Sequence, residues 1–189
     1  MALPGQNTQD ESDPGQGQRE TDGRTAASSP VRPRTDRVRL IQHSTLKLRL
    51  QLRIEDLRSL LDRDSFWARG RRLGDLRKML NGSQAVVSAW HGSRLVGFGR
   101  ATCDGVYRAV LWDVVVAAEH QGQGLGSELV TMLLSHQLVA KVERVYLMTT
   151  NSAGFYTKLK FHENHGQLLM IREPENSYNG KREPEPYQQ

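Results

Sequence analysis

Between Leu111 and Gly126 the chain passes from an apolar run, Leu111-Trp112-Asp113-Val114-Val115-Val116, through a short polar turn into Gly122, Gly124 and Gly126. An amphipathic segment begins directly behind those glycines. The order spells a buried strand, a loop whose bare backbone can approach a ligand, and a helix starting where the loop ends. The first N–H groups of a helix have no partner in their own turn, and the helix dipole adds partial positive charge there. Such a junction suits an anion, most often a phosphate.

Spacing narrows which phosphate. A P-loop places Lys-Ser/Thr after its last glycine, where this chain has Ser127-Glu128. The dinucleotide fingerprint needs G-x-G-x-x-G at the first strand–helix junction, whereas here the glycines alternate and several strands come first. Both nucleotide readings fail.

The surrounding pattern fills in the fold. Val38–Ile41 and Leu46–Leu52 both read as a first strand, and the choice between them stays open. Apolar spacing predicts a helix over 52–63 and a second over 72–80, closed by Asn81-Gly82, with Phe66-Trp67-Ala68 as an apolar plug between them. Three strands follow, over 85–90, 95–101 and 107–116, and the short turns between them imply antiparallel pairing. Leu125, Leu129, Met132 and Leu133 share one face of the helix behind the glycines. The strand predicted over 144–149 returns by a crossover, so it pairs in parallel with 107–116. A short helix over 152–159 and a strand near 168–171 complete an α/β (α+β) domain. It is a mixed, mostly antiparallel sheet with helices on both faces.

Residues 1–36 and 173–189 hold few large apolar side chains and many Gly, Pro, Gln and charged residues, so both read as disordered tails around a domain at 37–172. Cys103 is the sole cysteine, which excludes an intrachain disulfide and a cysteine-rich metal site. No apolar run approaches the roughly 20 residues that span a bilayer. The amino terminus lacks a signal-peptide pattern, and its acids argue against a transit peptide, so a soluble cytoplasmic protein is expected. Over 37–100 fourteen Lys and Arg face five acids. Solvated helix faces explain this most simply, and attraction of an anionic cofactor is the functional reading. Nucleic acid is not expected, because no aromatic residues interleave with the basic ones.

With those residues in view, Gln121-Gly122-Gln123-Gly124-Leu125-Gly126 resembles the Gln/Arg-x-x-Gly-x-Gly/Ala signature of the GCN5-related N-acetyltransferases (GNAT). About thirty residues on, Asn151-Ser152-Ala153-Gly154-Phe155-Tyr156-Thr157-Lys158-Leu159-Lys160-Phe161 is similar to that family's Phe-Tyr-x-x-Leu-Gly-Phe segment. Trp112–Val115 and Arg144–Leu147 look most like the cyanobacterial and plastid branch, which is similar to arylalkylamine (serotonin-type) N-acetyltransferases. The resemblance implies an acetyl-CoA-dependent N-acetyltransferase with direct attack in a ternary complex and no metal. The acceptor it implies is a small amine or a protein lysine, and the chain a monomer or homodimer. Residues Gln121 to Gly126 would hold the pyrophosphate, and a Cβ at Gly124 or Gly126 would crowd it. Val114, Val115 and Val116 would face the pantetheine arm, with an amide near Val114 polarising the acetyl carbonyl, and Asn151 and Tyr156 would complete the cofactor site.

Tyr156 matches the family's general acid towards the thiolate. Asp113 interrupts an apolar strand, where an ionised carboxylate is costly unless paired. It is therefore a candidate base, or a structural aspartate held by backbone amides or an arginine. His120 reads as a surface residue lining the cofactor site, and His162 and His165 as surface histidines able to reach the amine. Phe66, Trp67 and Trp90 are candidate walls for an aromatic acceptor. Three departures from the family pattern stand out: Ala118 replaces a frequent proline, Lys160 replaces the glycine before Phe161, and Asn151 lies unusually close to Tyr156. Polyamines as acceptors, a non-catalytic acyl-CoA sensor and a nucleic-acid binder are the competing readings.

Overall fold

The computed structural model describes residues 37–43 and 52–172. The two predicted tails, and nearly all of the alternative first strand at 46–52, lie outside the described residues. The elements in order are β1 (Arg39–Gln42), α1 (Ile54–Asp64), α2 (Leu73–Asn81), β2 (Ala85–His91), β3 (Arg94–Cys103), β4 (Arg108–Val116), a 3-10 turn (Ala118–His120), α3 (Leu125–Leu134), β5 (Arg144–Tyr146) and α4 (Ala153–Lys158). The first strand is therefore the earlier candidate. The five strands lie in chain order in one sheet, β1 to β4 antiparallel and β5 parallel to β4, as the crossover requires.

Apolar periodicity explains the layers. Ile54, Leu57, Leu60 and Leu61 form the buried stripe of α1, which packs on β3 and β4 and against α2. Leu125, Leu129, Val130 and Leu133 form that of α3, which packs on β1 to β4. Side chains alternate across a strand, so β3 serves both layers. A Cβ on Gly97 would lie 2.9 Å from Leu129 Cδ1, and one on Gly99 2.9 Å from Leu133 Cδ1, so these glycines let α3 settle onto the sheet. Phe98, between them, is fully buried on the opposite side.

Three expectations fail. The plug does not form: Ala68 is buried, but Phe66 and Trp67 are 59% and 46% exposed and stack edge-to-face on each other. Both occupy the irregular α1–α2 connection, which places them outside the core. The strand expected over 144–149 stops at Tyr146, where its pairing with β4 ends. The strand expected near 168–171 is absent, and Leu168, Leu169, Met170 and Ile171 are all strongly exposed. A short apolar run makes a strand only beside a partner, and no ladder reaches this segment.

The Gly97 contact generates a stability test. Its Cβ would also meet Ala89 Cβ at 3.0 Å, an atom fixed to the neighbouring backbone. Gly97→Ala is expected to cost about 1–3 kcal/mol, the usual range for overpacking a core, measured by urea unfolding.

Candidate functional site

Parallel pairing between β4 and β5 covers Arg108↔Arg144, Ala109↔Val145 and Val110↔Tyr146 and goes no further. Along Leu111–Val116, β4 therefore has β3 on one side and no paired strand on the other among the described residues. The Ala117 N–H donates to Val96 O at 2.8 Å, which turns Ala117 and Val115 towards β3. By antiparallel alternation, Val116 and Val114 direct their N–H and C=O groups to the open side. The parting of β4 and β5 expected beside Val114, Val115 and Val116 is thus present. The Val116 carbonyl accepts a 2.9 Å hydrogen bond from Gln121 Nε2, so the first residue of the loop is tied to the end of the strand.

The loop reaches α3 through Gly122 and Gly124, with φ of +73° and +87°. Glycine takes this left-handed backbone freely, and a side chain there would be strained. A Cβ at Gly124 would meet no protein atom within 4 Å, whereas one at Gly126 would press on Phe155 Cζ at 3.3 Å. Within the protein, then, Gly124 answers to backbone conformation and Gly126 to Phe155. Gly124 caps α3 without a side-chain hydrogen bond. The N–H groups of Leu125, Gly126 and Ser127 precede the first intrahelical bond, from Glu128 N–H to Gly124 O, and remain available to an anion. Gln123 Nε2 donates back to Glu119 O.

Through Phe155, α4 docks on the start of α3 beside Val116. Tyr156 is the next residue. It is largely buried, its ring meets Phe155 at 4.8 Å and Phe161 at 5.8 Å, and burial pushes its phenol above the usual tyrosine value. The end of α4 fixes that ring. Phe161 N–H donates to Tyr156 O and Lys160 N–H to Thr157 O, a Schellman cap with the Tyr156–Phe161 contact as its apolar clasp. Lys160 takes φ +68° at the left-handed position, so this turn keeps the conformation that glycine would give it. Asn151 is exposed, and its Oδ1 accepts from Ser152 Oγ.

Asp113 is buried on β4, its side chain 4% exposed. Arg71 Nη1 donates to its Oδ1 at 3.1 Å and Arg100 Nε to its Oδ2 at 2.7 Å. Arg100 also lies over the Trp112 ring at 5.5 Å, and Arg71 lies 3.6 Å from Met79 Sδ. The β3–β4 register slips between Phe98↔Val115 and Arg100↔Trp112, so Asp113 and Val114 together face Gly99 in a bulge. Neither Arg71 nor Arg100 belongs to a motif. The unpaired charge at Asp113 was the signal that some cation had to be found.

The remaining candidates disperse. His120 closes the 3-10 turn, meets His91 edge-on at 5.2 Å and lines a cleft of about 370 Å³ with Arg37, Gln123 and Glu128. His162 and His165 are exposed. Trp90 packs against the core and donates to Ser88 Oγ, so it makes no exposed wall. Cys103 is a half-buried free thiol. Among the described residues no cluster of three or more His, Cys, Asp or Glu could hold a metal, and no helix is long and apolar enough to cross a membrane.

Residues 54–161 match the family model described as Acetyltransferase (GNAT) family, which is more than half of the chain. The chain belongs to the GNAT family. An uncharacterized N-acetyltransferase ycf52-like of Prochlorococcus marinus is 33% identical over 107 residues, covering 54% of this chain and 56% of that protein. Histone acetyltransferase TAP1 of Glycine max is 35% identical over 120 residues, covering 57% and 51%. This chain thus spans about half the length of the curated relatives it matches. A solved GNAT-family protein of Xanthomonas campestris superposes with a TM-score of 0.62 at 24% identity, covering 75% of this chain and 98% of that one, and shows the shared fold. The cyanobacterial relative fits the branch to which Trp112–Val115 pointed.

Within this GNAT domain the departure at Ala118 has a structural reason. Ala118 N–H donates to Asp64 Oδ1 at 3.2 Å, tying the end of α1 to the entry of the loop. Proline has no N–H to give. Ala118→Pro is expected to lower stability by about 1–3 kcal/mol, the cost of leaving a buried acceptor without its donor, read from the thermal midpoint. Lys160→Gly is expected to do the reverse, gaining about 0.5–1 kcal/mol by relieving a left-handed lysine, in the same assay.

Proposed function

We propose that this chain transfers the acetyl group of acetyl-CoA to a primary amine. The observation that carries the proposal is the meeting of three features at one place. They are the open edge of Leu111–Val116, the uncapped start of α3 behind Gly124, and Tyr156 on the helix that Phe155 seats against Gly126.

When bound, acetyl-CoA supplies a thioester whose carbonyl carbon is attacked by the neutral amine, the C–S bond then breaking. The protein's part is to hold and to move a proton. The Leu125, Gly126 and Ser127 amides would take the pyrophosphate, with Gln121 and Gln123 bracing the loop. Val114 and Val116 would bond the pantetheine arm as an added strand, and the Val114 N–H would bear the developing oxyanion. Tyr156 would give its proton to the departing thiolate. A desolvated phenol stays protonated across the physiological range and suits that role. Asp113 is placed here as a positioning residue, since both its oxygens are committed to guanidinium groups.

For the acceptor we favour an arylalkylamine. The α1–α2 connection carries the exposed Phe66–Trp67 pair and reaches Asp113 on β4 through Arg71. The exposed aromatic pair and the arginine that reaches β4 thus belong to one connection, and an aromatic acceptor suits such a surface. A protein lysine is the second reading, favoured by the relative named as a histone acetyltransferase.

Free-thiol release from acetyl-CoA, measured against arylalkylamines, polyamines and histone-tail lysine peptides, tests the proposal. Arylalkylamines are expected to turn over fastest. Preference for peptides would select the second reading, and acetyl-CoA binding without thiol release from any acceptor would sink the enzyme reading in favour of a sensor. Tyr156→Phe is expected to lower kcat about 100-fold with little change in the KM for acetyl-CoA. In the unsubstituted protein the alkaline fall of kcat should lie above the free phenol value of about 10, because burial raises this tyrosine. The fall should vanish in Tyr156→Phe.

A further inference from the structure

Left-handed backbone inside a strand is rare for a residue with a side chain, and Asp113 adopts it with φ +50° in the middle of β4. The peptide that follows Asp113 carries the Val114 N–H. The conformation of Asp113 therefore sets the direction of the amide that faces the open edge. Such a conformation persists only where the surroundings hold it. Here two cations from different elements grip the two carboxylate oxygens, Arg100 from β3 and Arg71 from the α1–α2 connection.

We infer that the Arg71–Asp113–Arg100 cluster is a positioning device that fixes the kink of β4 and so aims the Val114 N–H at the acetyl carbonyl. The inference rests on the acetyltransferase reading and adds the side chains that set its oxyanion donor. Two features of the cluster support it. Asp113 is held from both ends, by bonds of 3.1 and 2.7 Å, as fixing a backbone requires and as a freely exchanging proton acceptor would not be. Gly99 stands opposite the kink, and a Cβ there would meet Leu133 Cδ1 at 2.9 Å and touch Val114 Cγ2 at 3.6 Å, so the bulge faces a residue that α3 already requires to be small. Arg71 extends the hold to the connection that bears Phe66 and Trp67.

The test compares Asp113→Ala, Asp113→Asn and Asp113→Gly in the full chain. Glycine takes positive φ freely and asparagine tolerates it, whereas alanine resists it. In 15N-labelled protein, acetyl-CoA is expected to shift the Val114 amide proton well beyond the shift given by CoA, which brings no carbonyl. That difference should disappear in Asp113→Ala and persist in Asp113→Asn. With an acceptor that the unsubstituted protein turns over, kcat should fall about 100-fold in Asp113→Ala, the scale of losing one oxyanion donor. It should fall less than about tenfold in Asp113→Asn, which keeps an acceptor for a guanidinium, and in Asp113→Gly, which permits the backbone but holds neither arginine, about as far as in Asp113→Ala, with the KM for acetyl-CoA within about threefold throughout and the acidic limb of the pH profile kept in Asp113→Asn.

Equal loss in all three variants together with loss of that limb would overturn the inference and make Asp113 the base. Full activity in Asp113→Ala with the Val114 difference intact would overturn it as an inert ion pair. Should Asp113→Ala fail to fold, Arg100→Lys carries the test, because lysine keeps the charge but not the Nε bond. Loss of the Val114 difference is then expected, and its survival would contradict the inference. If acetyl-CoA shifts no amide in the unsubstituted, folded protein, the acetyltransferase reading falls and this inference with it.

Discussion

Past Val110 and Tyr146 the parallel strands β4 and β5 part company, and the polar edge of Leu111–Val116 is left without a strand beside it. An edge of this kind in the middle of a sheet is costly unless something covers it. Here Gln121 covers the Val116 carbonyl, while the groups around Val114 face the gap between the strands. The bulge at Asp113–Val114 accompanies the parting, since a bulge bends its strand and increases its twist. Helix α3 follows the end of that edge, so that an amide-bearing arm and an anionic tail would meet complementary surroundings in succession.

Two sets of tethers hold this opening from opposite layers. On the α3 side, Phe155 lies against Gly126, and the cap formed by Lys160 and Phe161 holds Tyr156 in place. On the α1 side, Asp64 holds Ala118 at the loop entry, and Arg71 holds Asp113 at the kink. Apart from the local cap of α4, each tether joins residues far apart in sequence. The site is therefore a product of the whole domain rather than of the glycine loop that marks it.

The loop, the strand before it and the Phe155–Tyr156 segment were legible in the sequence because each rests on local spacing. Helix boundaries came out within about two residues of expectation for the same reason, apolar period being local. Asp113 was legible as a question: its burial demanded a partner, but Arg71 and Arg100 arrive from 42 and 13 residues away and no spacing rule connects them. Phe66 and Trp67 misled because apolarity alone predicts a core, and their exposure depends on the path of the α1–α2 connection. Leu168–Ile171 misled in the same way, since it is apolar and has no partner strand among the described residues. Lys160 shows the converse, a position whose backbone conformation outlasted the residue type that normally supplies it.

The most direct measurement of the central claim is a crystal structure of the chain with acetyl-CoA. The account predicts the pyrophosphate on the amides of Leu125, Gly126 and Ser127, and the pantetheine arm bonded along Val114 and Val116. It also places the thioester sulfur within hydrogen-bonding reach of the Tyr156 hydroxyl. An arm lying outside the gap between β4 and β5, or a pyrophosphate held away from the start of α3, would contradict it.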